Sequence, residues 1–226
     1  MKFEHTKVMN FEGAFRGMRN PLNSWDRSDS ESGVELDYLD YVEPGKPVGI
    51  KGFREVYKIG QRDLELAQKL IAGGSPHRKF IRQIMVCVDI TAPLFWWKEF
   101  DTYKVGTVAN STSTMHKLAS TPITLDCFET DDYDETIVDP SGFIGMLEKI
   151  RQAYNKTKDK RIWKELIRWL PESWLQTRTI TFNYEVIRQM CYWREGHKLS
   201  EWKSFIDWAH TLPYADELIF YSGKEN

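Results

Sequence analysis

The chain reads as an α/β or α+β domain in which helices dominate around a few strands. Three observations predict this. Residues 80–90 (FIRQIMVCVDI) and 177–182 (TRTITF) are β-favouring runs, and each gives way to a helical pattern. Residues 62–72, 143–155, 161–170 and 201–210 read as helices, the first and last with apolar side chains on one face. Polar, turn-rich stretches at 19–45 and 126–141 separate these elements.

Taken in order, residues 7–18 mix apolar and polar side chains with two glycines and predict a strand leading into a turn. Residues 19–45, rich in Asn, Ser, Asp, Pro and Gly, predict a long surface loop, either a lid over a site or simply mobile. Residues 53–59 alternate as a strand does, and the helix at 62–72 is ended by Gly73-Gly74, with a left-handed cap expected there. After the run at 80–90, Thr91 can cap a helix and Pro93 suits its first turn, so 94–103 predicts an aromatic-rich helix. Residues 105–113 (VGTVANSTS) predict a loop, and the helix at 201–210 turns Phe205 and Trp208 inward. Trp96-Trp97 pack in the core or stack on a planar ligand, the core being favoured.

Composition bounds the function. With 226 residues, 41% of them hydrophobic, the chain can bury one sizeable core, and a single domain over 1–226 is expected. A net charge of −2 argues against wrapping a nucleic-acid polymer. Cys87, Cys127 and Cys191 are odd in number and widely spaced, which predicts no disulfide framework and a cytoplasmic location. The opening MKFEHTKVMN lacks the apolar stretch of a signal peptide, and no apolar run approaches the ~20 residues of a membrane helix. The five histidines show no metal-ligand spacing, and neither GxGxxG nor GxxxxGK[ST] occurs.

The most informative stretch is 171–202 (PESWLQTRTITFNYEVIRQMCYWREGHKLSEW). Leu170-Pro171 stops a helix, the β run at 177–182 follows, and Asn183 stands where a helix N-cap belongs. Arg194 lies three turns further on, within about 20° of the same face and ~16 Å along the axis, with Ile187 and Met190 between. An amide and a guanidinium sharing a face suit a long, flat, partly charged ligand. The plainer alternative is that Asn183 only caps and Arg194 only pairs with a surface acid.

This stretch resembles the C-terminal signature of flavin-dependent thymidylate synthases. The matching residues are Leu170-Pro171, Thr177-Arg178, Asn183, Arg194, His197 and Trp202, the link after Arg194 differing by about one residue. The order strand, Ala92-Pro93, helix also matches what precedes that family's nucleotide-binding signature. The signature itself, an Arg-His-Arg triplet followed by a spaced Asn-Glu, a Ser and an Arg-Tyr, is degenerate here. Its triplet falls at Thr102-Tyr103-Lys104, and Asn110 and Ser113 keep their interval. Ser111 takes the acidic position, Met115 the Arg position and His116 the Tyr position. Gln83 stands for a family His, and Ile167 sits at the count of a phosphate-binding Arg, with Arg168 one residue off.

The resemblance implies a fold of helices around a small mixed or antiparallel sheet, and a homotetramer with sites between subunits. It implies a methyltransferase that converts dUMP to dTMP, with methylenetetrahydrofolate as carbon donor and FAD carrying the hydride from NADPH. Arg194 would be catalytic, stabilising negative charge on the uracil ring. Asn183, Gln83, Gln189 and Asn110 would bind cofactor, and Ser111, Ser113, Lys104, Arg168 and Arg178 the substrate nucleotide. Against these roles, Lys104 and Arg168 can be solvated charges, and Ser111 and Ser113 turn formers. The alternative function is a divergent relative that binds a nucleotide without catalysis or modifies another pyrimidine nucleotide. The lost triplet favours that alternative, whereas the intact Asn183–Arg194 spacing favours the synthase.

Overall fold

The computed structural model describes residues 1–38 and 50–223. In chain order the elements are β1 (Lys2–Met9), α1 (Phe11–Arg19), β2 (Glu31–Tyr38), β3 (Ile50–Lys58), α2 (Gln61–Ala72), β4 (Met85–Pro93) and α3 (Leu94–Phe100). They continue with β5 (Val108–Ser111), α4 (Thr114–Lys117), α5 (Ser141–Thr157), α6 (Lys160–Arg168), β6 (Leu175–Asn183), α7 (Tyr184–Arg194) and α8 (Ser200–His210). One sheet has the order β1-β4-β6-β5, and β2 and β3 form a separate ribbon. The pairs β2–β3 and β5–β6 are antiparallel. This is the α/β class with helices around small sheets that the sequence predicts.

Four local expectations are corrected. The stretch 7–18 is β1 ending at Met9 and then α1, whose buried Phe11, Ala14, Phe15 and Met18 follow helical spacing. Gly13 and Gly17 lower the helix propensity there, and burial overrides them. Within the expected loop at 19–45, β2 forms by pairing with β3; residues 39–45 lie outside the described residues. The run at 80–90 begins as a 3-10 turn (Arg78–Gln83), and β4 carries on through Thr91 to Pro93, so Thr91 is a strand residue rather than a cap. The expected loop at 105–113 contains β5, a polar strand that exists through its ladder with β6. The left-handed cap expected at Gly73-Gly74 is borne out, with Gly74 at φ 89° after α2.

The described chain falls into two compact units. The first comprises Met1–Lys7, Val86–Phe182 and Met190–Ala209. Here β4 alternates as a half-covered strand should, burying Val86, Val88, Ile90 and Ala92. Trp96, Trp97 and Phe100 of α3 and Trp202 and Phe205 of α8 are buried together with Phe182 of β6. Trp96 lies 4.9 Å from Trp97 and 5.0 Å from Trp202, centroid to centroid. The core reading of Trp96-Trp97 is therefore the correct one. A satellite cluster of Leu118, Ile123, Phe128, Leu147 and Leu166 lies where α5 and α6 pack together. On α5, Glu148 accepts hydrogen bonds from Arg151, from the Ile123 backbone N–H and from Gln152; the Arg151 fork contributes most to holding its carboxyl down at about 2.

The second unit comprises Val8–Met85, Asn183–Gln189 and His210–Asn226. Phe11, Phe15, Phe80 and Tyr184 line its core, with Phe11 edge-on to Tyr184 at 5.8 Å. A polar network joins α1 to α2. Arg19, 4% exposed, donates from Nε to the fully buried Asp63 at 2.5 Å. Ser28 and Ser30 donate their hydroxyls to the other Asp63 oxygen at 2.6 Å each. Asp29 accepts from the Arg62 and Asp63 backbone N–H groups, capping the start of α2.

Burial alone would raise the Asp63 pKa, but the hydrogen bonds from Ser28, Ser30 and Arg19 outweigh it and the value lies below the ordinary one. A depressed carboxyl stabilises the fold above its unfolded pKa, and that contribution is lost as pH falls below about 3.8 and through the folded value. Asp63→Ala leaves the Arg19 guanidinium buried without its counter-ion. Urea unfolding at pH 7 should show a loss of about 3–5 kcal/mol, and the difference from wild type should shrink in acid. A variant within 0.5 kcal/mol or so of wild type would mean that Arg19 reaches solvent once freed.

Candidate functional site

Arg194 ends α7 and is drawn into a cage within the first unit. Its Nη1 lies 2.9 Å from Glu99 Oε2, and its Nε donates to the Tyr103 hydroxyl at 3.0 Å. Its guanidinium carbon sits 4.8 Å over the Trp202 ring. The same Glu99 oxygen accepts from Trp202 Nε1 at 2.9 Å and lies 3.4 Å from His197 Nε2. His197 is placed by the turn after α7, where its backbone N–H bonds the Arg194 carbonyl. Arg194 thus pairs with an acid, as the plainer alternative supposes, but a part-buried one within an aromatic cage.

Arg178 is held by a parallel device. On β6, with 15% of its side chain exposed, it donates from Nη1 to Asp101 at 2.8 Å and from Nε to Gln176 at 2.9 Å. Its guanidinium carbon lies 4.3 Å over the Trp97 ring. Residues opposite one another in an antiparallel ladder present side chains on one face, and Ser111 is the partner of Arg178. The ladder therefore brings these two predicted substrate residues side by side, with Asn110 opposite Thr179.

The remaining predicted residues of this unit are more dispersed. Lys104 is exposed beyond the end of α3. Ser113 caps the short α4, its hydroxyl accepting from the His116 N–H at 3.0 Å. It also lines a cleft of about 650 Å³, with Thr91, Thr112 and Lys117 on its walls and Phe128 and Trp174 as its apolar part. Arg168, half exposed in the last turn of α6, pairs with Glu165 one turn back.

In the second unit Asn183 is buried, and its Oδ1 accepts from the Val186 N–H at 3.1 Å, the capping bond the sequence predicts. Gln189 donates to Glu185 at 3.3 Å, and Arg78 donates to the same carboxylate at 2.8 Å. Gln83 closes the 3-10 turn, its carbonyl accepting from Asn10. It lines a cleft of about 590 Å³ with Leu66, Leu70, His77, Lys79 and Phe80. Ile187 and Met190 are fully buried, so the face of α7 that Asn183 shares with Arg194 is core and offers no open ledge for a flat ligand.

Sequence reasoning missed Glu99 and gave Tyr103 only a place in a lost triplet. An acid alone in an aromatic run carries no local signal. The retained His197 and Trp202 were the available hint, since both converge on the oxygen that Glu99 supplies.

The fold carrying these groups is that of the flavin-dependent thymidylate synthases. A crystal structure of flavin-dependent thymidylate synthase ThyX from Helicobacter pylori, complexed with FAD and dUMP, is 14% identical and superposes over 100% of both chains with a TM-score of 0.65. A second structure of ThyX from the same organism, with FAD and dUMP, is 14% identical and covers 99% of each chain with a TM-score of 0.67. No protein-family model matches the sequence, and no curated protein matches it significantly. Among the described residues no helix is long and apolar enough to cross a membrane.

The forked contacts of Arg178 give a test of how it is held. Arg178→Lys keeps the charge but cannot reach Asp101 and Gln176 together while covering the Trp97 face. Thermal or urea unfolding should show a loss of about 1–3 kcal/mol for Arg178→Lys and no smaller loss for Arg178→Ala. A fully tolerated lysine would show that charge alone, not the fork, is what β6 needs at this position.

Proposed function

We propose that the chain binds FAD and a pyrimidine nucleotide and catalyses reductive methylation of dUMP to dTMP. Methylenetetrahydrofolate would donate the carbon and NADPH the reducing equivalents, in a cytoplasmic homotetramer. The observation that carries this reading is Arg194: a guanidinium fixed by Glu99, Tyr103 and Trp202, at the position where the resembled family contacts uracil. A fold whose solved representatives hold FAD and dUMP supports it.

The residues present suit both ligands. The cleft of about 590 Å³ combines apolar walls from Leu66, Leu70 and Phe80 with the Gln83 amide and the Lys79 ammonium, a donor set fit for an aromatic ring system and a diphosphate. Bound FAD would supply hydride transfer. For the nucleotide, Ser111 and Lys104 are exposed donors, and Arg178, paired with Asp101, stands opposite Ser111 on the β5–β6 ladder. A fixed cation such as Arg194 stabilises negative charge as it grows on the pyrimidine ring, and it needs no reorganisation because the cage already holds it.

A second reading, nucleotide binding without turnover, is favoured by one specific feature. Glu99 neutralises Arg194, which weakens the guanidinium as a stabiliser of ring charge. Two measurements separate the readings. Protein supplied with FAD should retain it near stoichiometrically through gel filtration, and dUMP with methylenetetrahydrofolate and NADPH should yield dTMP. Arg194→Ala should lose about 1.5–3 kcal/mol of interaction, ten- to a hundredfold, falling more on turnover than on dUMP affinity. Flavin retention with no dTMP, and an effect of Arg194→Ala on affinity alone, would establish the second reading. A colourless protein with no heat of dUMP binding would overturn both.

A further inference from the structure

Among the described residues three protein nitrogens approach the Glu99 carboxylate, each nearest the same oxygen. Arg194 Nη1, Trp202 Nε1 and His197 Nε2 lie 2.9, 2.9 and 3.4 Å from Oε2. Oε1 takes no hydrogen bond among the described residues, and the side chain is 33% exposed. Arg194 shows the complementary surplus. Its Nε donates to Tyr103 and its Nη1 is the nitrogen nearest Glu99, while Nη2 donates no hydrogen bond among the described residues. The pair therefore keeps one donor nitrogen and one acceptor oxygen unspent, in a charge-balanced unit walled by Trp202 and Tyr103.

A carboxylate with a spare oxygen beside a guanidinium with a spare N–H is complementary to a ring that presents a carbonyl next to an N–H. A uracil-type ring does this on both sides of N3, where an imide N–H stands between two carbonyls. We infer that Glu99 and Arg194 read the bound pyrimidine as a unit, the guanidinium donating to a ring carbonyl and the free carboxylate oxygen accepting from the neighbouring ring N–H. This inference rests on the reading that the first unit binds a pyrimidine nucleotide. It adds to that reading a specificity-determining residue, Glu99, and a reason for its charge. A ring lacking the N–H would leave a part-buried carboxylate oxygen facing a carbonyl or a methyl group, and unpaired polar groups are what a site rejects most effectively.

The test compares dUMP with its N3-methyl analogue, which keeps both carbonyls and the phosphate but has no ring N–H to donate. Calorimetric titration of the wild-type protein should show dUMP binding ten- to a hundredfold more tightly, the scale of one charge-assisted hydrogen bond. Glu99→Gln keeps a carbonyl oxygen for Trp202 and His197 but can put an N–H where Oε1 stood. In that variant the preference for dUMP should collapse towards one. A purely structural role for Glu99 would weaken both ligands alike and leave their ratio unchanged. Wild-type protein that binds the two ligands equally would overturn the inference while leaving the nucleotide-binding reading intact, as would an unaltered ratio in Glu99→Gln. Wild-type protein that binds neither ligand would overturn that reading, and this inference with it.

Discussion

Burial of the aromatic side of α3 is the constraint on which the first unit depends. A helix of seven residues is too short to persist by its own hydrogen bonds. What holds it is the removal of Trp96, Trp97 and Phe100 from water, each contributing roughly 1.5–3 kcal/mol or more. Its entry is tied as well: the Leu94 and Phe95 N–H groups, which have no partner inside the helix, donate to the carbonyls of Trp174 and Glu172. Trp97 adds a buried hydrogen bond from its indole N–H to the Gln176 carbonyl of β6. With the aromatic side locked, the direction of the remaining side chains is not free. Glu99 and, just past the helix, Asp101 and Tyr103 are delivered to fixed places.

Those three residues explain the treatment of the two arginines. Arg194 and Arg178 come from different elements, α7 and β6, yet each is held the same way: an acid from the end of α3, a second polar acceptor and an indole face. Fixing a guanidinium in this manner costs little, because the planar fork is already pre-organised and the ring face replaces part of its hydration. The same arrangement moderates the charge. A site of two free arginines would attract any anion, whereas arginines paired to acids favour ligands with matched donors and acceptors over mere negative charge.

The sequence made the buried half of this visible and the paired half much less so. The α2 and α8 patterns, the β run before Ala92-Pro93 and the cap at Asn183 were legible because each follows from local spacing or local chemistry. Elements whose cause is distant were not. Polar β5 exists through its ladder with β6, β2 through its ladder with β3, and α1 through burial of Phe11 and Phe15 despite two glycines. Of the candidate site, Arg194, Arg178, Ser111 and Asn183 could be named from spacing and resemblance, but not their partners. Glu99 and Asp101 become meaningful only when α3 packs, since nothing in a run of aromatic residues says which acid will meet which arginine. The face of α7 between Asn183 and Arg194 shows the opposite failure. The spacing was right, but Ile187 and Met190 serve the core, and periodicity cannot tell a ligand-facing stripe from a buried one.

The low identity to structures of the same fold sharpens the point. A fold survives heavy substitution as long as buried positions stay apolar and of suitable volume, and strands keep their alternation. A binding signature has no such latitude, because each polar contact needs its own donor or acceptor. Here the aromatic and aliphatic core still satisfies the fold over its full length, while Thr102-Tyr103-Lys104 stands where an arginine-rich triplet is expected. Tyr103 accepts the Arg194 Nε–H and lies against the Trp202 ring. Lys104 is exposed, and Glu99 pairs with the Arg194 guanidinium. The polar chemistry of this unit is therefore its own, and it has to be argued from the contacts of Glu99, Tyr103 and Trp202 rather than carried over from the fold.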